Sequence, residues 1–276
     1  MGKRRLDTLL AERGLFASRS RAAASVMAGE VYLQPARAGE RRAGKPGELV
    51  DVETHVRVVE GPAFVSRGGI KLANALLACG LDVRDRRALD VGASTGGFTD
   101  CLLQRGAREV IAVDVGYGIL DYRLRNDPRV SVMERTNARS LTREALPPAR
   151  LGTQAPPDLA TVDVSFISLE KILGALIGCL AASYDLLALV KPQFELGRGR
   201  VGKGGVVRSA DDRREALIGV GVSALAAGAA AIGYHSSGLP GPKGNLETFL
   251  WLTDAASGRG SRDPQQLEAM AREVEP

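Results

Sequence analysis

The chain has 276 residues, of which 45% are hydrophobic, 25% charged and 4% aromatic, and its net charge is +5. This composition is ordinary for a globular protein and excludes a wholly disordered chain. The length accommodates one α/β domain and a small additional module. Residues 1–45 hold ten Lys and Arg against four Asp and Glu, a local excess that favours a polyanionic partner such as nucleic acid or a membrane surface.

Residues 4–34 predict two short helices followed by a strand. Ser18 is a typical N-cap for the second helix, and Gly29 is a typical stop at its end. The first helix has one apolar face, formed by Leu6, Leu9 and Leu10. Arg19 and Arg21 would lie at the start of the second helix, where cations oppose the helix dipole, and this favours a use in phosphate contact. Further short strands are predicted within 45–53 and 55–59, and we expect the module to end near residue 60.

From about residue 62 the pattern changes to strands that alternate with helices. Such alternation is typical of a largely parallel, doubly wound sheet with helices on both faces. We predict an exposed loop at 193–210, which is rich in Gly, Arg and Lys, and a charged helix at the end of the chain. The predicted strands are 87–91, 109–115, 129–133, 158–164, 186–190, 230–237 and 247–252.

The apolar segment 172–190 has the length of a membrane span but is interrupted by polar residues at 183–185. We therefore predict a helix, a turn and a buried strand there. Acidic residues interrupt the first sixteen positions, so we expect no export signal. The three cysteines, Cys79, Cys101 and Cys179, form no C-x-x-C pair and lie among apolar residues, which favours buried packing in a reducing cytoplasm.

A glycine cluster lies between a predicted strand and a predicted helix, in the stretch "LDVGASTGGFTD" at 89–100. The dinucleotide pattern G-x-G-x-x-G is not met, because position 94 is Ser. Asp114 ends the next strand, where a carboxylate accepts hydrogen bonds from ribose hydroxyls. The arrangement favours an S-adenosylmethionine loop over another nucleotide site or a structural turn. Asp114 is therefore the predicted contact with the cofactor ribose.

Several motifs in order resemble one family: "SRGGIKL", "LDVGASTGGFTD", "VDVGYG", "ERTNAR", "DVSFISL", "LVKPQFE" and "GPKGNLETFLWL". They are similar to the TlyA (haemolysin A) family of ribosomal-RNA 2′-O-methyltransferases, over nearly the whole chain from Arg5 to Leu252. The resemblance implies a small N-terminal α+β S4-type RNA-binding domain. It also implies an FtsJ-like, Rossmann-like methyltransferase sheet, mostly parallel with an antiparallel last strand, which uses S-adenosylmethionine.

The resemblance also implies a catalytic Lys-Asp-Lys-Glu tetrad, which falls on Lys71, Asp163, Lys191 and Glu247. Asp163 and Lys191 fall at or near the carboxyl ends of predicted strands, where open parallel sheets place their sites. Lys191 is the best candidate for the base, because partial burial and a neighbouring cation both favour a neutral amine. We expect Asp163 to position this amine and Glu247 to fix Lys71. Taken singly, each of the four is equally well explained as a surface salt bridge.

For the cofactor, the resemblance implies contacts at Asp90, Gly92, Ser94, Gly96, Gly97 and Asp114. It further places Asn137 beside the adenine, although Asn is also a common turn residue. It suggests that RNA phosphates are contacted by Arg5, Arg19 and Arg21 in the S4-like module and by Arg67 at the linker; solvated surface arginines are the alternative. The stretch "QPARAGERRAGKPGEL" at 34–49 departs from the short turn that the family shows there. The predicted boundaries are 1–60 for the S4-like domain, 61–65 for a linker, 66–258 for the methyltransferase domain and 259–276 for a charged C-terminal helix or tail.

With this resemblance, we expect a cytoplasmic enzyme that methylates the 2′-oxygen of cytidines in 16S ribosomal RNA, 23S ribosomal RNA or both, within ribosomal subunits. We expect no metal, because neither His lies in a cluster of potential ligands. The alternatives are a haemolysin-like membrane-active protein, a non-catalytic RNA-binding factor for ribosome assembly, and a methyltransferase acting on another RNA or on a base.

Overall fold

A computed structural model describes residues 2–35, 39–59, 63–150, 155–202 and 204–275. The chain divides into two compact units, an N-terminal unit of residues 1–63 and a C-terminal unit of residues 64–276. The predicted linker at 61–65 lies partly outside the described residues, since 61 and 62 are not among them.

The N-terminal unit contains two helices and short antiparallel strands. Strand β2 pairs with β3 and with β5, and β1 pairs with β4. Its elements are β1 (Lys3–Arg5), α1 (Leu6–Glu12), α2 (Arg19–Ala28), β2 (Val31–Gln34), β3 (Arg41–Arg42), β4 (Leu49–Asp51) and β5 (His55–Val58). Strand β3 lies within the stretch 34–49 that departs from the family pattern; residues 36–38 of that stretch are outside the described residues.

Local sequence signals explain the two helices. The Ser18 hydroxyl accepts a hydrogen bond from the backbone N–H of Arg21 at 3.2 Å, and Gly29 ends α2 in the left-handed conformation at φ 77°. Both predicted caps are therefore confirmed. The predicted apolar face of α1 is buried in the core of this unit, which consists of Leu6, Leu9, Leu10, Ala22, Val26, Val31, Leu33, Ala43 and Val50.

The C-terminal unit alternates strands and helices, as predicted. Its helices are α3 (Arg67–Cys79), α4 (Gly97–Gln104), α5 (Tyr122–Arg125), α6 (Leu173–Cys179), α7 (Pro192–Glu195), α8 (Ala210–Ala226) and α9 (Pro264–Val274). Its strands are β6 (Arg87–Val91), β7 (Glu109–Val113), β8 (Val130–Met133), β9 (Leu159–Val162), β10 (Asp185–Val190), β11 (Ala229–Ser236) and β12 (Thr248–Asp254). Short 3₁₀ helices lie at Ala138–Ser140, Arg143–Ala145, Leu169–Lys171, Arg198–Arg200 and Ala255–Ser257.

Over the described residues these strands form a sheet of the order β11-β12-β10-β9-β6-β7-β8. The neighbours from β10 to β8 pair in parallel, whereas β12 runs antiparallel to both β10 and β11. The predicted, mostly parallel sheet with an antiparallel last strand is confirmed. Strands β6, β7, β9 and β10 are buried along their whole length, which explains why their sequences are nearly continuous apolar runs.

The ambiguous segment 172–190 folds as α6, a turn and β10, so the prediction of helix, turn and strand is confirmed. Within the described part of the chain, no helix has both the length and the apolar character needed to cross a membrane.

The C-terminal charged helix packs onto the sheet unit instead of forming a separate tail. Ser261 forms a β-bridge with Ala231, and Leu267 and Ala271 of α9 are fully buried. The Glu275 carboxylate pairs with the Arg213 guanidinium at 2.8 Å. Leu267 and Ala271 therefore belong to the core of the C-terminal unit.

Candidate active site

A cavity of about 680 Å³ opens at the edge of the sheet where the parallel strands end. Asp163 follows β9 and Lys191 follows β10, while Glu247 immediately precedes the antiparallel β12 and so enters at the same edge. Lys71 reaches the cavity from the second turn of α3. The topology thus brings together four side chains that are far apart in the sequence.

The four side chains form two ion pairs. Lys71 Nζ lies 2.5 Å from Glu247 Oε2, and Lys191 Nζ lies 2.5 Å from Asp163 Oδ1. The first pair is the more deeply buried, with side-chain exposures of 9% and 2%, whereas Asp163 retains 23% exposure. The pair nearer to solvent is therefore the one that an entering substrate can reach more easily.

The segments that carry Asp163 and Lys191 are tied together. The Lys191 amine donates to the Ser165 hydroxyl at 3.0 Å. Glu195, at the end of α7, accepts hydrogen bonds from the Ser168 hydroxyl at 2.7 Å and from the Leu169 backbone N–H at 3.1 Å. Burial raises the pKa of the Glu195 carboxyl. These contacts fix the separation of the two loops, and hence the geometry of the pair between them.

Phe166 is an aromatic ring at the cavity wall that sequence reasoning missed. It is 92% exposed, its backbone is left-handed at φ 66°, and its ring centroid lies 5.2 Å from that of Phe194. A bulky side chain in this conformation costs about 1–3 kcal/mol, and such strain concentrates at functional sites. An exposed, strained aromatic beside the ion pairs indicates a stacking surface for a planar group.

The glycine cluster forms a tight loop between β6 and α4. Gly92 and Gly96 have φ of 82° and 101°, and Ser94 also has a positive φ, of 49°. A Cβ on Gly92 would overlap the carbonyl oxygen of Asp163, and one on Gly97 would overlap the Ser66 hydroxyl. Glycine is therefore required where this loop meets the strand β9 end and the start of α3. Gly92, Ser94 and Gly97 line the cavity, whereas Gly96 turns the chain into α4.

Asp114 lies beside this loop at the end of β7. Its carboxylate accepts hydrogen bonds from the backbone N–H groups of Ser94 at 2.7 Å and of Gly116 at 2.6 Å. Each oxygen keeps a second lone pair, so both can still accept from ribose hydroxyls. Next to Asp114 is a small recess whose apolar lining includes Ile119, Leu120 and Val132. Asp114 thus offers hydrogen-bond acceptors next to apolar side chains at the Gly92 loop.

The structure corrects the expectation that Asp90 contacts a cofactor. Its side chain is fully buried beneath the loop, where one oxygen accepts from the Thr99 hydroxyl at 2.6 Å and the other from the Thr161 hydroxyl at 3.0 Å. Burial raises the pKa of Asp90 to about 6, partly offset by these two hydrogen bonds. Asp90 supports the loop from below and does not face the cavity.

Asn137 is exposed, and among the described residues it lines neither the cavity nor the recess. Its side-chain oxygen accepts from the Arg139 N–H at 3.0 Å and so caps a 3₁₀ helix. The contact of Asn137 with adenine stays a prediction.

The arginines predicted to bind RNA lie in different settings. Arg67 is the first residue of α3 and not part of a linker, and its guanidinium donates to the Pro240 carbonyl at 2.8 Å. In the N-terminal unit, Arg5 and Arg19 both pair with the buried Asp7, at 2.8 and 3.3 Å. The hydrogen bonds from Arg5 lower the pKa of Asp7 to about 2. Arg21 is exposed.

Among the described residues, no group of His, Cys, Asp and Glu side chains is arranged so that it could hold a metal ion. Burial raises the pKa of all three cysteine thiols, to about 12 for Cys79 and about 11 for Cys101. Such thiols are poor nucleophiles at neutral pH, which fits their predicted role in packing.

Comparisons with known proteins identify the family of this chain. The family model of the FtsJ-like methyltransferase matches residues 64–253. A Mycobacterium tuberculosis protein, the 16S/23S rRNA (cytidine-2'-O)-methyltransferase TlyA, is 48% identical over 265 residues, which cover 94% of each chain. Hemolysin A of Brachyspira hyodysenteriae is 38% identical over 244 residues, covering 88% of this chain and 97% of that one.

A solved structure from Streptococcus thermophilus, provisionally assigned as a hemolysin, is similar along the whole chain. It is 39% identical, has a TM-score of 0.70, and the match covers 99% of this chain and 96% of that one. The family match, the identity to the curated relatives and the two lysine–carboxylate pairs lead to one assignment: the chain belongs to the FtsJ-like methyltransferase family, in the group that includes the TlyA and hemolysin A proteins.

Proposed function

We propose that this protein transfers a methyl group from S-adenosylmethionine to the ribose 2′-oxygen of cytidines in ribosomal RNA. The observation that carries the proposal is the pair Lys191–Asp163 at one wall of a cavity whose other wall is the Gly92 loop. A base for a hydroxyl group and a nucleoside-binding loop thus face one space. The Mycobacterium tuberculosis relative, with cytidine-2'-O specificity in its name, supports the choice of substrate.

The residues present fit the cofactor. Asp114 is placed to accept hydrogen bonds from ribose hydroxyls, with apolar side chains beside it, and the close-packed Gly92 loop lets its backbone approach the methionine portion. When bound, S-adenosylmethionine supplies a strongly electrophilic methyl group. The protein then has to position the hydroxyl and remove its proton.

In the proposed mechanism, Lys191 accepts the proton of the attacking 2′-hydroxyl. The product of that step is an ammonium ion, which the Asp163 carboxylate 2.5 Å away stabilises electrostatically. The Ser165 hydroxyl, 3.0 Å from the same nitrogen, accepts one of its hydrogens and orients the amine. Lys71 lies in the same cavity and is held by Glu247, so it can donate a hydrogen bond to the ribose oxygen without competing for its proton.

The proposed RNA contacts come from both units. In the N-terminal unit, for which we propose an S4-type RNA-binding role, Asp7 orients Arg5 and Arg19 at the surface, where guanidinium groups can contact phosphates. In the C-terminal unit, Phe166 offers a face on which a base unstacked from the RNA can lie. We propose that the RNA is recognised within assembled ribosomal subunits.

The experiment is transfer of a labelled methyl group to separated ribosomal subunits, followed by mapping of the modified nucleotide. We expect label on cytidine 2′-oxygens with the wild-type protein and none above background with Lys191→Ala. Binding of S-adenosylmethionine, measured by calorimetry, should be retained in that variant. Lys171→Ala is the matched control, because Lys171 is exposed and outside the cavity lining. Label on a base, on DNA or on protein would overturn the proposal, as would full turnover by Lys191→Ala.

A further inference from the structure

The charged side chains on the cavity wall have a net positive charge. Within the described residues they are Arg67, Lys71, Asp163, Lys191, Lys243 and Glu247. Four of these form the two ion pairs already described. Arg67 and Lys243 have no carboxylate partner within salt-bridge distance among the described residues, so the wall carries two uncompensated positive charges, both at exposed positions.

Lys243 lies on a rigid turn. The Gly241 backbone N–H donates to the Asn245 carbonyl at 2.8 Å, and the Gly244 N–H donates to the Gly241 carbonyl at 2.9 Å. Gly244 has a φ of 93°, a conformation that favours glycine. The turn therefore presents the Lys243 side chain from a fixed backbone.

The same turn contacts the Lys71–Glu247 pair and the Gly- and Arg-rich loop at 193–210. A Cβ on Gly241 would overlap the Glu247 carboxylate, so the two are in direct contact. The buried Asn245 side chain accepts from the Val207 N–H at 2.9 Å and donates to the Gly205 carbonyl at 2.8 Å. Lys243 is thereby held at a defined place relative to the Lys71–Glu247 pair.

Arg67 is attached to this turn as well. One of its five N–H groups donates to the Pro240 carbonyl at 2.8 Å, which leaves the others available to a ligand. The Lys243 ammonium on this turn and the Arg67 guanidinium bonded to it lie on the wall of the proposed ribose site, and together they suit an anionic group such as a phosphodiester. In RNA the carbon that bears the 2′-hydroxyl adjoins the carbon that bears the 3′-phosphodiester, so the reacting oxygen always brings a negative charge close to it.

We propose that Lys243, together with Arg67, binds the phosphodiester on the 3′ side of the target ribose. This inference rests on the proposed function and adds Lys243 as a residue that positions the RNA strand. The contact selects a ribose within a polynucleotide over a free nucleoside. It also fixes the ribose on the side opposite to the base, so that the 2′-oxygen is directed at the Lys191 amine.

The test compares Lys243→Gln with the wild-type protein in methyl transfer to ribosomal subunits at several salt concentrations. We expect KM for the subunits to rise about tenfold, the effect of losing one charge-assisted hydrogen bond, with a smaller fall in kcat. The logarithmic dependence of KM on salt should become shallower by about 0.7–0.9, the value of one phosphate contact. Lys171→Gln, which removes an equal charge away from the cavity, should behave like wild type.

A second measurement separates this inference from the proposed function. Affinity for a short single-stranded oligoribonucleotide, measured by fluorescence anisotropy, should show the same loss and the same change of salt dependence for Lys243→Gln. If the wild-type protein binds RNA but methylates no 2′-oxygen, the proposed function fails while this comparison still tests Lys243. An unchanged salt dependence for Lys243→Gln, or an equal change for Lys171→Gln, would overturn the inference.

Discussion

The Lys71 ammonium and the Glu247 carboxylate lie 2.5 Å apart, and both side chains are almost completely removed from solvent. Taking two charges out of water is costly, and their mutual attraction repays that cost only while both partners are present. A buried pair at the wall of a cavity is therefore poor evidence for a role in stability alone. It is better explained by the chemistry of the site.

Replacing both members of this pair should restore stability but not activity. Glu247→Leu leaves an uncompensated buried ammonium and should lower the free energy of unfolding by about 3–5 kcal/mol. The double variant Lys71→Met/Glu247→Leu should recover most of that loss, because two apolar side chains pack without a charge to compensate. Methyl transfer should be reduced at least about a hundredfold in both variants. Urea unfolding and initial rates measure the two quantities.

Wild-type activity in the double variant would contradict a role for the pair in the reaction. Failure of the double variant to recover stability would show that the Glu247 contact with Gly241 matters more for the fold than the charges do.

Gly92→Ala should weaken cofactor binding without unfolding the protein. At φ 82° an L side chain is strained, and the new Cβ would overlap the Asp163 carbonyl oxygen, so the loop and the β9 end must move apart. We expect calorimetry with S-adenosylmethionine to show at least about a tenfold weaker affinity. Gly174→Ala is the matched control: Gly174 lies in α6 with open space around it, so the variant should bind normally and gain up to about 1 kcal/mol of stability.

Phe166→Gly should weaken RNA methylation without lowering stability. Glycine relieves the left-handed backbone conformation, and the ring that it removes is 92% exposed, so little buried contact is lost. If a base of the RNA stacks on this ring, kcat/KM for ribosomal subunits should fall at least about fivefold, whereas affinity for S-adenosylmethionine should not change. Phe166→Tyr keeps the stacking face and should retain most of the activity. Equal losses in the two variants would rule out stacking as the role.

The sequence predicted most of the fold because its signals are local. The caps at Ser18 and Gly29 and the apolar runs of the parallel strands are set within a few residues of each element. The four tetrad positions followed from motifs that a family resemblance supplied, not from periodicity. Phe166 escaped notice because nothing in the sequence marks a left-handed backbone at a bulky residue. The burial of Asp90 and the hydrogen bonds that Glu195 accepts from the Ser168 segment depend on contacts between distant segments, which no local pattern encodes.

The buried Asp90 gives the stability of the C-terminal unit a distinctive pH dependence. Its pKa is raised from 3.8 to about 6, because burial disfavours the charged form more than the hydrogen bonds from Thr99 and Thr161 favour it. The folded state therefore binds a proton more tightly than the unfolded chain does. The stabilisation is fully present below pH of about 4 and is lost as the pH rises through about 6, a change on the order of 3 kcal/mol.

Asp90→Asn cannot titrate, so wild type should lose stability relative to this variant across that window. In Thr99→Val, loss of one hydrogen bond to the carboxylate should move the window to higher pH. Chemical unfolding at a series of pH values measures all three proteins, and parallel curves for wild type and Asp90→Asn would show that folding does not raise the pKa of Asp90.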